Sequence, residues 1–410
     1  MLRSLAFFCQ GYNHNRDYPM DGFCPLVVRT RAKLGLLLIV LLYVVLPPSV
    51  RVSSAQQTTA SDHFALDLVF EIGEDEADFF FGKITALEAD SRGLLYVADF
   101  LNHSIEIFNP TGTHARTIGG VAGQGPGEFS GYIDLSIGPA DTLYAFDRRL
   151  NRFSIFDKDY QLQPTVFASQ AHARYPSRAL TDRHGGFYVI YIQAHHAGNL
   201  DSELYDIVGR INREGKKDPG FALQTKSRQG LTIRFDGGGF MASSTPFAAR
   251  PVMKTLPDGT LIGGYNSQLR IDKFSASGDT ISFIDHVVER KRIGKSAIDA
   301  FLNSLRDGAL SHLDSGVEKY LDRARKKLPT RWPAFDDLAV DNQGRVWVTI
   351  NAQGEEGGEL MLFNDKGEFV SRSDLDPGVI IHVVKGGYAY GVRTRENGLE
   401  TVVKYRVVET

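Results

Sequence analysis

The chain has 410 residues, 42% of them hydrophobic and 23% charged, which is the make-up of an ordinary globular protein with room for two or three average domains or one large all-β domain. The formal net charge is −3, and no basic stripe or RNA-binding signature stands out, which excludes nucleic acid as the expected partner. Both cysteines, Cys9 and Cys24, lie near the N-terminus, so the rest of the chain has no disulfide and must be held by its core.

Residues 1–55 differ in character from the rest of the chain. Arg29, Arg31 and Lys33 precede the apolar run LGLLLIVLLYVVL (34–46), then Pro47 and Pro48, with the small residues Ser53 and Ala55 at the −3 and −1 positions of a cleavage site before Gln56. That order reads as a secretory signal, and the run is short against the ~20 apolar residues of a membrane span. A single uncleaved N-terminal anchor is the alternative, and would be the only membrane attachment. Residues before Met20 fit neither signal nor domain, which makes Met20 the alternative start. The expected location is therefore outside the cytoplasm: periplasmic, secreted or associated with the cell envelope. With the leader's six basic and two acidic residues set aside, 40 basic and 47 acidic residues remain, a net charge of −7.

From residue 56 onward a pattern recurs. GLLYVADFLNHSIEIFNPTG (93–112) holds two short alternating runs joined by a tight loop, as a β-hairpin would. Looser copies occur at 141–160, 185–215, 259–278, 344–367 and 386–409, the one at 185–215 with a longer middle. Each is preceded by another apolar run: ITALEAD, IDLSIGPA, SRALTD, PVMKTLPDG, FDDLAVDNQG and IIHVV. Units of about 40–50 residues with four strands mark propeller blades. The sixth unit ends after three strands, and FALDLVFEI (64–72) has no partners of its own, so it can supply the missing outer strand and remove an open edge. The predicted fold is an all-β, six-bladed β-propeller over residues 56–410, closed by an N-terminal strand.

LYVADFLNHSIEIFNPTGTHARTIGGVAGQGPGEF is similar to an NHL-repeat blade with its G-x-G-P-G-E-F connection, and WPAFDDLAVDNQGRVWV fits the same group. From about Phe64 to the end the chain resembles the bacterial six-bladed β-propeller proteins of exported or envelope settings. Blades three and four depart from that pattern, which leaves their strand bounds open. The resemblance implies a fold and says little of function.

Blade topology divides the loops between two faces. Turns from first to second and from third to fourth strand share one face and are short: DSRG, PAD, DRHGG, PDG, DNQG and KGG. The other face carries second-to-third loops and links between blades, including 119–131, a stretch around 225–250 and one from about 286 to 334. Rigid scaffolds carry function on such loops, so this elaborated face is the expected binding face. The longest link predicts a helical insertion at about 295–328, before blade five. Ser296 is placed to cap a helix with Ile298, Phe301, Leu302 and Leu305 on one side, and Val317, Tyr320, Leu321, Ala324 and Leu328 continue the stripe. The insertion either packs on the ring to cover apolar surface or forms a lid over the central opening.

Residues entering each inner strand should rim the channel on the elaborated face: Lys83 and Thr85; Tyr132 and Asp134; Arg174, Tyr175 and Arg178; Phe247 and Arg250; Arg331, Trp332, Phe335 and Asp336; His382. Among these, Tyr132, Arg178, Arg250, Arg331, Trp332 and Asp336 are the candidate ligand-binding residues. Arginines beside aromatics can hold a carboxylate or sulfate while rings stack on a sugar or peptide. The opposing structural role is that the same arginines pair with Asp134, Asp336 and nearby carbonyls to tie blades together.

Two functions are compatible with this pattern. The first is a monomeric binding scaffold, with no cofactor, for a protein, a peptide or an anionic, sugar-like ligand. The second is implied by the resemblance, because propellers with similar blades include amidating lyases, the streptogramin-type lyase, and gluconolactonase and paraoxonase relatives: a metal-dependent lyase or lactonase. Zinc needs three or four converging ligands, and only His382 lies near a channel entry. Calcium needs six to eight oxygens, for which Asp134 and Asp336 are a thin start. His195 and His196, adjacent in a long loop, would point to opposite faces of a strand. RFDGGGF (234–240) lacks the Gly-Lys-Ser/Thr of a phosphate loop, the NHS triplet at 102–104 matches a glycosylation pattern only, and no Ser-His-Asp arrangement can be assigned.

Overall fold

Each copy of the repeat folds as four antiparallel strands. The computed structural model describes residues 64–73, 79–168, 175–182, 184–193, 202–313, 316–353 and 357–409. The leader, Arg174, His195 and His196 lie outside the described residues. Blade I runs from inner to outer edge through Ile84–Ala89, Leu95–Asp99, Ser104–Phe108 and His114–Gly119. Blade II comprises Ile133–Ile137, Leu143–Asp147, Arg152–Phe156 and Leu162–Phe167. Blade III is Tyr175–Thr181, Phe187–Ile192, Tyr205–Ile211 and Lys217–Lys226. Blade IV is Pro251–Thr255, Leu261–Tyr265, Leu269–Phe274 and Thr280–His286. Blade V is Asp337–Val340, Val346–Ile350, Gly358–Phe363 and Phe369–Leu375.

Blade VI takes Val379–Lys385, Tyr388–Thr394 and Glu400–Glu409 from the end of the chain and its outer strand, Phe64–Ile72, from the start. The closing strand pairs antiparallel with Glu400–Glu409, Phe64 opposite Glu409 and Ile72 opposite Val402. The Glu71 side chain on that strand is buried and accepts from Arg393, Arg395 and Thr401, so an ionic knot reinforces the ladder.

The burial pattern explains why the repeat shows best in its middle. In blade I the second and third strands are buried along their whole length, because neighbouring blades cover both faces, whereas the outer strand is mostly exposed. Blade seams hold the core: Tyr96, Ile105 and Ile107 of blade I interlock with Phe129, Ile133 and Leu143 at blade II. Fully burying each such side chain stabilises the ring by roughly 1.5–3 kcal/mol.

Aspartates clamp both ends of the strands. On the short-turn face Asp90 accepts the N–H groups of Arg92 and Leu94 and the Tyr96 hydroxyl, and Asp341 repeats this with Gln343, Arg345 and the Trp347 indole. On the elaborated face Asp99 accepts four backbone N–H groups, of Gly82, Lys83, Leu101 and Asn102. Asp147 does the same for Ser130, Gly131, Arg149 and Leu150. These carboxylates fix the loops that enter blades I and II, since a buried backbone N–H left unpaired is costly.

The elaborated face carries a small core of its own. Helix α1 (Lys295–Asp307) and helix α2 (Val317–Lys327) lie in the link before blade V, and a hairpin of Gly230–Arg234 and Phe240–Ser244 lies in the link before blade IV. Leu302, Leu305, Leu321, Ala324 and Leu328 pack on Leu231, Ile233, Met241 and Phe247. The helical stripe is thus satisfied within the insertions. The start of α1 differs from the expected cap: Gly294 occupies the N-cap position without a side-chain hydrogen bond, and Ser296 falls inside the first turn. Among the described residues no helix is long and apolar enough to cross a membrane.

Candidate functional site at the channel mouth

Inner strands from all six blades line a central channel of about 650 Å³. Strand alternation turns every other residue of an inner strand toward this space, and links on the elaborated face add the groups at its mouth. Seven basic side chains line the channel, Lys83, Arg148, Arg178, Arg228, Arg250, Lys254 and Lys385, against four acidic ones, Glu88, Asp134, Asp206 and Asp337. The lining is therefore cationic in a chain whose net charge is negative.

Four of the cations, Arg148, Arg178, Arg228 and Arg250, come from the elaborated side of blades II, III and IV. Among the described residues only Arg178 has a carboxylate within 4 Å, Asp134 at 3.8 Å. The Arg148 guanidinium lies 5.0 Å over the Tyr132 ring, and that ring stacks on Phe100 at 4.4 Å with a 14° interplanar angle. Arg228 donates to the Thr245 carbonyl at 2.9 Å, and Arg250 donates to the Asp336 carbonyl at 2.8 Å. Burial pulls the Arg250 pKa down; Asp337 opposes this, and Arg178 and Arg228 add to it. Burial also raises the Asp134 pKa against the pull of Arg178 and Arg148.

At the centre Asp337 and His382 form a pair, Oδ2 to Nδ1 at 2.7 Å, with Lys254 Nζ 3.4 Å from the His382 carbonyl. Burial opposes ionisation of Asp337, yet Lys254, His382 and Arg250 together hold its carboxyl well below the usual range. Lys83 is tied to Glu400, which closes the gap between blades I and VI. Among the described residues no group of three His, Cys, Asp or Glu side chains converges as a metal site would require.

Of the six candidate residues, the structure brings Tyr132, Arg178 and Arg250 into the channel. It places Arg331, Trp332 and Asp336 elsewhere. Arg331 is exposed and donates to the Arg290 carbonyl, and Trp332 packs on Phe247 at 5.0 Å within the insertion core. Both fall short of the strand entry, because the link still belongs to the insertion there; Arg331 bridges to Arg292 as a short antiparallel pair. Asp336 lies one residue from the channel. Alternation gives that position to Asp337, and the Asp336 carboxylate instead accepts the Ala352 N–H at 2.9 Å. Phe335 and Phe247, expected at the rim, are buried core residues, and Tyr175 is exposed.

Arg148, Arg228, Lys254 and Asp337 escaped sequence reasoning. Arg148 lies in a second-to-third loop, a class of position that strand-entry reasoning leaves out. The one signal for Lys254 was a lysine in the middle of the apolar run PVMKT.

Residues 50–171 match the model of a family described as 6-bladed beta-propeller. No curated relative matches the sequence. Among solved structures, a member of the DUF4221 family from Bacteroides vulgatus is similar over 85% of this chain and 99% of its own, at 8% identity and a TM-score of 0.50. Virginiamycin B lyase from Staphylococcus aureus aligns over 84% of this chain and 100% of its own at 10% identity, TM-score 0.44. A gluconolactonase from Xanthomonas campestris aligns over 84% and 97% at 11% identity, TM-score 0.43. With the family match at one end of the ring and six four-stranded blades around it, the chain is a six-bladed β-propeller protein.

Proposed function

We propose that this protein is an exported binding propeller whose channel mouth, on the elaborated face, takes an anionic ligand bearing a carboxylate or sulfate. The observation that carries this reading is the cluster of four arginines, only one of them within 4 Å of a carboxylate among the described residues. Like charges gathered in excess of their counter-charges repel, and a bound anion offsets that repulsion with bidentate hydrogen bonds. Arg178, 36% exposed and loosely paired, is the arginine freest to turn to a ligand. Tyr132 serves as the platform that holds Arg148 in place. Isothermal titration of the full chain with citrate and with glucose 6-sulfate tests the site. Saturable binding that weakens at least tenfold in Arg178→Ala is expected; binding of neither probe, or equal binding by the variant, refutes it.

Export rests on the order of basic, apolar and small residues over 29–55. N-terminal sequencing of protein recovered from its native envelope should read from near Gln56, whereas an intact leader in membranes would establish an anchor.

A lyase or lactonase working in the same channel is the second reading, and the His382–Asp337 pair favours it, because a carboxylate that orients an imidazole is the ordinary support of a general base. Stoichiometric zinc or calcium in the purified protein would support that reading over simple binding.

A further inference from the structure

A second cavity, about 1310 Å³, opens between blades III and IV, bounded on the elaborated side by strand Gly230–Arg234 and the end of α2. Gly263 and Gly264 of blade IV line it, where the second strands of blades I, II and V carry Val97-Ala98, Ala145-Phe146 and Val348-Thr349. The third strand also approaches closely there: a Cβ on Gly264 would meet the Arg270 carbonyl oxygen at 1.9 Å.

The lining mixes apolar side chains, among them Leu204, Leu223, Phe247 and Met253, with polar and cationic ones. Gln224, Ser227, Gln229, Thr245, Ser267 and Gln268 present amides and hydroxyls. Thr245 is 4% exposed, and its Oγ1 has no hydrogen-bond partner among the described residues. Among the cations, Lys226 pairs with Glu203 and Arg270 with Asp272. Arg228, Arg290 and Lys327 meet only backbone carbonyls among the described residues, those of Thr245, of Trp332 and Arg331, and of Thr232. The volume exceeds the ~300–1,000 Å³ of small-molecule pockets.

We infer that this cleft between blades III and IV is a separate binding site for an acidic oligosaccharide. Three cations without carboxylate partners among the described residues call for anionic groups, while the amides and hydroxyls match a chain of hydroxyls and the apolar side chains match the C–H faces of sugar rings. The size calls for several sugar units. Arg228 also lines the central channel, so one side chain belongs to the walls of both cavities.

The test uses the full chain and a series of galacturonate oligomers from two to six units, with the methyl-esterified hexamer as the uncharged control and hexaglutamate as the peptide control. Affinity should rise at least tenfold from dimer to hexamer and fall at least tenfold on esterification. Lys327→Gln and Arg290→Gln should each weaken hexamer binding at least threefold, while the channel variant Arg178→Ala leaves it within twofold. If Arg290→Gln melts early, Lys327→Gln alone decides, since its side chain is exposed. A hexamer that binds no better than the dimer, or no better than its ester, overturns the inference. So does binding lost in Arg178→Ala but kept in Lys327→Gln, which would assign it to the channel. Equal affinity for hexaglutamate would make the occupant an acidic peptide and overturn the oligosaccharide.

Discussion

Single residues at the channel mouth divide into ties and free groups. Arg250 is a tie: its guanidinium bonds the Asp336 carbonyl of the next blade, its own N–H is held at 2.7 Å by Asn266 Oδ1, and burial already depresses its pKa. Arg250→Ala should therefore cost roughly 1–3 kcal/mol, the penalty of losing a charged donor from a partly buried carbonyl, read as an early thermal melt. Arg178→Ala should melt within a degree or two of the parent, because a loosely paired, partly exposed charge contributes little; a large drop would make Arg178 a second tie. Asp336 supports a pH prediction. Burial pushes its carboxyl up to about 6, against the Ala352 N–H and Arg250. The native state then holds a proton that the unfolded chain releases near pH 4, so stability falls as pH rises from about 4 to 6. Asp336→Asn keeps an acceptor for Ala352 and should flatten that slope, adding on the order of 1–3 kcal/mol at pH 7. Urea melts from pH 4 to 7.5 check the sign.

Among the elements, the closing strand Phe64–Ile72 has the clearest consequence. Phe64 is buried with its ring 5.0 Å from Trp347 in an edge contact, so the strand also packs against blade V. Phe64→Ala should cost about 3–5 kcal/mol. Glu71→Ala, which removes the carboxylate that Arg393 and Arg395 share but leaves Arg393 paired with Asp376, should cost about 1–3 kcal/mol. Chemical denaturation of both variants, compared with Leu68→Ala on the same strand, separates closure from general strand effects: Leu68 is 52% exposed and should change little. The strand was legible in the sequence because five apolar residues alternated with no local partner, and the inner strands were legible because a short turn closed each run, with an Asp in five of the six. The hairpin Gly230–Ser244 was not foreseen, although Leu231, Ile233 and Phe235 alternate before the turn at 236–239. Its partners are helices far away in sequence, and a two-stranded ribbon is marginal without such packing. The site was half legible for a related reason. Topology decides which strand reaches the channel, but one step of alternation decides between Asp336 and Asp337, and the length of the insertion decides whether Arg331 and Trp332 reach the rim at all.

For the molecule as a whole, all six blades contribute to the channel, and an anion held by the four arginines at its mouth joins blades II, III and IV. Its cationic lining sits inside a chain of net charge −3, which makes the mouth a local sink for anions against a repulsive surround. Ligand that binds only the closed ring stabilises it by RT ln(1 + [L]/Kd), about 2.7 kcal/mol at a hundredfold excess over Kd. Sulfate offers the simplest probe, but it also stabilises proteins generally through exclusion from their surface. That general effect grows steadily with concentration, whereas site binding saturates. Thermal melts in sodium sulfate, matched in ionic strength with sodium chloride, should show a rise of a few degrees that levels off in the millimolar range. In Arg148→Ala/Arg178→Ala the saturable part should vanish and the steady part remain. A sulfate response equal in parent and double variant would leave the arginines as structural ties and remove the channel mouth as an anion site.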